Sequence, residues 1–177
     1  MLCTVIISAM RLWSVLLPIF GACVAAAIPL ARYAEKQRDE AIAVNSLQQF
    51  QDAQEKVRDA GGAYATVLAT LVDGCPGGAP VLPVGVLEEL SGAGYVLQLR
   101  AAVDAAPRGT DCKGHSLASD YYVAASPATA GEAAEKAFAG RADRRLFVFV
   151  DGIAPSEADI ASGLATPLEE INSFKIP

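Results

Sequence analysis

The chain has 177 residues, 53% hydrophobic and 19% charged, with 14 Lys+Arg against 20 Asp+Glu and a formal charge of -6. So apolar a composition excludes a disordered chain, and an acidic balance without a basic cluster excludes a nucleic-acid surface, which needs Lys and Arg on phosphates. One histidine and four cysteines exclude a two-Cys, two-His zinc finger and leave imidazole chemistry to His115, so the composition points away from catalysis and toward one domain with something attached.

Residues 1–31 carry the apolar excess. Leu12 to Ala31 reads LWSVLLPIFGACVAAAIPLA, without a charge, and about twenty helical residues span roughly 30 Å, the thickness of a bilayer's hydrocarbon. A single membrane-spanning helix over 1–31 is the simplest expectation. Two cleavage readings stand beside it. One is a secretory signal, with Arg11, the run Trp13 to Phe20 and the small pair Gly21-Ala22. The other is a lipobox at Phe20-Gly21-Ala22-Cys23, in which Cys23 is lipidated; against it, the chain runs on as apolar and then charged helix, where a lipoprotein has a polar tether.

Residues 32–60 hold no Gly or Pro and are rich in Ala, Gln, Glu, Lys and Arg, so they are expected to continue as an amphipathic helix. Val44, Leu47, Phe50 and Val57 share one face, suited to a small sheet, while Lys36, Arg38, Gln48, Glu55 and Arg58 point elsewhere. Gly61-Gly62 ends the helix. A sustained heptad is absent, which disfavours a coiled-coil stalk.

Residues 61–153 read as a globular head of short elements. Residues 64–72 are expected to make two helical turns, 74–83 a Gly/Pro loop, and Val84 to Leu90 another short helix. Tyr95 to Arg100, Tyr121 to Ala125 and Arg145 to Val150 read as strands, the last ending at Asp151-Gly152. No crossover helix of adequate length separates them, which favours an antiparallel meander. The insert TAGEAAEKAFAG is a short helix or a loop, and residues 154–177 are expected to be a mostly irregular tail.

This order of elements resembles the type IV pilins and their type II secretion relatives, the pseudopilins. Gly21 to Pro29 is similar to the family's apolar helix, with a glycine eight residues before a bending proline. The Asn45-Ser46-Leu47 step, the Gly62-Ala63-Tyr64-Ala65 turn and the three strand runs continue the likeness over about residues 12–153. It implies an α+β fold: a long N-terminal helix, half transmembrane and half amphipathic, packed on a three- to four-stranded antiparallel sheet. It also implies a structural role, as a minor pilin or pseudopilin subunit of a type IV pilus or type II secretion-type filament, with other pilin-like subunits, the assembly platform and membrane lipid as partners. The chain would then be single-pass in a bacterial inner membrane, with its head in the periplasm or on an extracellular filament. Helix packing would fall to Val15, Leu16, Ile19, Val24 and Ile28, with Gly21 giving close approach and Pro29 the bend. The chain departs from the family at two points: the cleavage junction falls at Ile7-Ser8, without a glycine, and the family's helix glutamate falls on Leu12. The rival reading is a non-polymerising, membrane-anchored or lipidated extracytoplasmic binding protein.

Charge and cysteines bear on topology in opposite senses. Arg11 against Arg32, Lys36 and Arg38 favours an outside N-terminus, whereas the pilin reading needs it inside. Cys75 in the Gly/Pro loop and Cys112 between two strands favour the pilin sense if they pair: a disulfide would close about 38 residues, stabilise by roughly 4 kcal/mol and persist outside the cytoplasm. Two free thiols are the alternative. Cys3 and Cys23 read as side chains of the apolar segment.

Catalytic and metal patterns are sparse. Cys112-Lys113-Gly114-His115, with Asp111 and Cys75, offers an incomplete zinc set, and His115 reads as an exposed loop residue. Adjacent Glu88 and Glu89 diverge by about 100° on a helix, so they are not an acid/base pair. Asp151, Glu157 and Asp159 imitate a calcium loop without EF-hand order. Tyr95, Tyr121, Tyr122, Phe147 and Phe149 are expected to alternate between core and surface. No nucleotide or hydrolase motif occurs, so no enzyme, cofactor, metal or small-molecule substrate is expected.

Overall fold

A computed structural model describes residues 2–129 and 136–169, excluding the side chains of residues 2–31. The chain divides into two compact units, Met1–Gln37 and Arg38–Pro177. One helix, α1 (Leu2–Gly61), supplies the first and opens the second. It stops where Gly62 turns into the left-handed region, φ 73°, and its N–H donates to the Arg58 carbonyl, a conformation that glycine adopts without a Cβ penalty.

In chain order there follow β1 (Tyr64–Ala65), α2 (Leu68–Val72), α3 (Val86–Gly92), β2 (Tyr95–Ala101), β3 (Pro107–Thr110), β4 (Ser116–Ala118), β5 (Tyr121–Pro127), β6 (Ala137–Arg141), β7 (Leu146–Phe149), α4 (Glu157–Ala161) and β8 (Thr166–Pro167). They form two sheets, antiparallel throughout: a three-stranded sheet ordered β1-β4-β3 and a five-stranded sheet ordered β2-β5-β6-β7-β8.

The expected fold class is thereby corrected, because two sheets of three and five strands replace one of three to four. The additional strands have physical reasons to be hard to read. β6 is Ala-Phe-Ala-Gly-Arg, poor in β-branched residues, and it replaces the helix or loop expected in part of the insert. Its small side chains fit a tight space: a Cβ on Gly140 would lie 2.9 Å from Gln51 Nε2 of α1 and 3.0 Å from Leu146 Cδ2. Residues 64–72, expected as helix throughout, begin as β1 because Tyr64 and Ala65 pair with Ala118 and Leu117 of β4.

The membrane-spanning helix and the inner-membrane placement drawn from it are corrected as well. Among the described residues no helix is long and apolar enough to cross a membrane. The side chains of Val15, Leu16, Ile19, Gly21, Cys23, Val24, Ile28 and Pro29 lie outside the described residues.

In the Arg38–Pro177 unit the main core joins Ala43, Leu47, Phe50 and Ala53 of α1 to Tyr121, Val123 and Ala125 of β5, with Phe138, Leu146 and Val148 beyond them. Val44 and Val57 are only half-buried, whereas Ser46, Gln51 and Gln54 are fully buried. The buried face of the helix is therefore rotated toward polar positions that a hydropathy pattern assigns to solvent.

The opposite face of the five-stranded sheet is covered too, by a segment expected to be an irregular tail. Tyr122, Ala124 and Ala139 pack with Ala154 and Ile160, and the Tyr122 hydroxyl donates to the Pro155 carbonyl. α4 begins with a capping box: Ser156 Oγ accepts from the Asp159 N–H at 3.2 Å, and the Asp159 carboxylate accepts from the Ser156 N–H at 2.8 Å. Tyr121 and Tyr122 are consequently both buried, on opposite faces, where alternation predicted one exposed ring.

Candidate functional site

Cys75, Asp111, Cys112 and His115 come together where the 74–83 loop meets the β3–β4 turn. Cys75 and Cys112 are joined by a disulfide with Cα atoms 5.8 Å apart, so the paired alternative holds and the free-thiol one does not. Both cysteines are exposed. The bond ties the Gly/Pro loop, which has no secondary structure of its own, to the three-stranded sheet.

Beside the disulfide, Asp111 organises the turn. Its Oδ1 accepts from the backbone N–H groups of Lys113 and His115, each at 2.8 Å. Its Oδ2 accepts from the Thr70 hydroxyl at 2.8 Å and lies 2.9 Å from His115 Nδ1. Burial pushes the Asp111 carboxyl up, but the bonds from Thr70, His115 and Lys113 outweigh it and hold the group well below the usual carboxylate range. His115 is half-buried against this carboxylate, not the exposed loop residue expected.

The arrangement fixes a turn and does not build a catalytic relay. A nucleophile–base–acid triad needs imidazole between hydroxyl and carboxylate, one on each ring nitrogen, whereas here Thr70 and His115 both address Asp111 Oδ2, and Thr70 lies 3.5 Å from the same Nδ1 that faces the carboxylate. The zinc reading fails on donor chemistry, since a disulfide sulfur is not a thiolate ligand. Among the described residues no group of three His, Cys, Asp or Glu could hold a metal ion.

The acidic residues are used inside the fold. Asp151 accepts from the Ile153 N–H at 3.0 Å, Asp159 caps α4, and Glu157 accepts from the Val103 N–H at 2.9 Å while pairing with Arg100. The Arg100 guanidinium also stacks 4.3 Å from the centre of the Tyr122 ring. Glu88 and Glu89 are exposed. A polar cleft of about 330 Å³ lies between α1 and β7, lined by Gln48, Gln51, Asp52, Arg144 and Leu146, with Leu168 and Glu169 at one side. Arg144 is paired there with Asp52 at 2.6 Å, and Glu169 adds a second carboxylate, so the cleft does not favour an anion.

Sequence reasoning missed Gln54, Gln51 and the Arg100–Glu157 pair. The Ser156-Glu157-Ala158-Asp159 capping pattern was a readable signal for α4; nothing marks Gln54 in a helix rich in glutamine. Comparison with protein-family models, curated proteins and solved structures finds no match to the chain.

Proposed function

We propose that the protein is a structural, pilin-like subunit that associates with like subunits through the N-terminal part of α1. One observation carries this reading. A single helix of 60 residues, Leu2–Gly61, contains the uncharged stretch Leu12–Ala31 and continues into the segment whose Ala43, Leu47, Phe50 and Ala53 belong to the head's core. A helical stretch that is apolar all round requires apolar surroundings, and parallel copies of itself supply them, with burial of apolar surface as the driving force. The polar groups around Asp111 and Glu157, engaged in turns and caps, support a scaffold role better than a catalytic one.

The experiment is co-purification and negative-stain microscopy of the full chain from its native cell, beside Gly21→Leu and Leu16→Glu. Filaments or co-purifying like subunits, lost in both variants while near-ultraviolet dichroism of the head is unchanged, are the expected result. A full-length chain that is solitary at every concentration, with both variants indistinguishable from it, overturns the proposal.

A further inference from the structure

Each sheet of the Arg38–Pro177 unit has two edges, and three of the four are blunted. β1 is two residues long, and the Gln54 side chain occupies its outer edge, its Nε2 donating to the Ala65 carbonyl and its Oε1 accepting from the Ala65 N–H, both at 2.9 Å. β8 is two residues long and contains Pro167. β3 starts at Pro107 and carries a register irregularity against β4. These are the devices by which sheets avoid edge-to-edge pairing. β2 is blunted only at its end, where Arg100 bonds the Ala101 carbonyl: it is seven residues long, free of proline and in unbroken register with β5 from Tyr95 opposite Pro127 to Ala101 opposite Tyr121.

The register also shows which groups face outward. The Ala128 N–H donates to the Gly94 carbonyl at 2.8 Å and the Ala102 N–H to the Asp120 carbonyl at 3.4 Å, so the even-numbered positions direct their backbone groups at β5. Tyr95, Leu97, Leu99 and Ala101 therefore direct theirs at the open edge; none of the described backbone groups pairs with them there, and the Ala101 carbonyl alone is engaged, accepting from Arg100 Nη1 at 3.2 Å. Leu97 and Leu99 stay half-buried, covered by the core on one side only.

We infer that the β2 edge pairs with the β2 edge of a second copy, antiparallel about a two-fold axis at Gln98, to make one sheet across two molecules. Seven residues centred on position 98 are self-complementary in this register. Leu97 meets the partner copy's Leu99 on the core face, while Val96 meets Arg100 and Gln98 meets Gln98 on the other. Like charges are nowhere opposite, and Arg100 is already neutralised by Glu157. The odd positions form the hydrogen-bonded pairs, giving about six backbone bonds across the axis besides the two to the Ala101 carbonyls, which already accept from Arg100. This contact is independent of association through α1.

The full chain carrying Cys3→Ser and Cys23→Ser is the starting protein, compared with the same chain bearing Gln98→Arg, Gln98→Glu or Gln98→Cys. Gln98 is exposed, so these changes leave the fold intact. Sedimentation is expected to show a concentration-dependent dimer. Gln98→Arg and Gln98→Glu alone weaken it about fivefold, the like-charge cost across a strand pair, and an equimolar mixture of the two restores it. Gln98→Cys, in a non-hydrogen-bonded pair on the axis, is expected to cross-link on mild oxidation, and the amides of Leu97 and Leu99 to exchange more slowly in the dimer. Self-association that ignores both charge variants and gives no Gln98→Cys cross-link overturns the inference. So does a monomer whose Leu97 and Leu99 amides slow only when an extended peptide is added, which would assign the edge to a different partner.

Discussion

Gln54 gives the sharpest test of how the helix is seated. It is fully buried, and its carboxamide makes both a donor and an acceptor bond to Ala65, standing where a neighbouring strand's backbone would stand. Gln54→Ala removes both partners at once. A paired neutral hydrogen bond contributes only about 1 kcal/mol net, but a buried donor or acceptor left unpaired costs about 1–3 kcal/mol. Two such groups on Ala65, itself fully buried, predict a loss of roughly 2–6 kcal/mol, with a cavity contribution added. Gln54→Leu separates the two effects, because it fills most of the volume and restores neither bond. Gln54→Glu keeps the acceptor for the Ala65 N–H but sets a carboxylate oxygen against the Ala65 carbonyl. It should therefore be less stable at neutral pH and recover in part toward about pH 5, where a buried carboxyl becomes protonated and donates. Urea unfolding followed by near-ultraviolet dichroism at both pH values measures all three. If Gln54→Leu unfolds within about 0.5 kcal/mol of the parent, the claim that this amide closes the β1 edge is wrong.

Three other outcomes follow from the same core. Tyr121 is fully buried between the rings of Phe50 and Tyr64, and its hydroxyl has no hydrogen-bond partner among the described residues; Tyr121→Phe should leave stability unchanged or raise it by about 1 kcal/mol in thermal unfolding, opposite in sign to most core changes. Gly140→Ala drives a Cβ to 2.9 Å from Gln51 Nε2 and should cost about 1–3 kcal/mol by overpacking, with the deficit reduced in the Gly140→Ala, Gln51→Ala double variant measured as a cycle. Asp111 is held below its ordinary 3.8 in the folded state, so its contribution is present above that value and lost as pH falls through the lower folded one; melting temperatures between neutral pH and about pH 2 should drop more steeply in the parent than in Asp111→Asn.

Legibility in the sequence followed side-chain chemistry. β7 lies within the run read as a strand, β2 and β5 start where their runs start and extend one and two residues past them, and α1 ends at Gly61 of the Gly61-Gly62 pair. Cys75 and Cys112 flank loops, which is where a bridge was weighed. β6 could not be read the same way: its alanines and glycine reflect the approach of α1, a tertiary fact. The exposed Pro107-Arg108-Gly109-Thr110 strand takes its pairing from β4 and not from any burial pattern. The fold class was missed for this reason, since the short strands of the second sheet carry no periodicity of their own.

The polar residues on the buried face of α1 also explain how one helix serves two sheets. Gln51 and Gln54 are three residues apart, hence neighbours on one face. Gln51 abuts Gly140 in the five-stranded sheet, and Gln54 bonds Ala65 in the three-stranded sheet. An apolar stripe alone is non-directional and would allow the helix to slide or rotate with little penalty. An amide bonded to one peptide group does not, because displacement by one residue orphans the Ala65 N–H and carbonyl. Arg58, hydrogen-bonded to the Tyr64 hydroxyl at 3.1 Å one turn further on, fixes the same register from the helix end. The burial of Leu47 and Phe50 brings the helix to the sheets, and the glutamines decide where along them it stops.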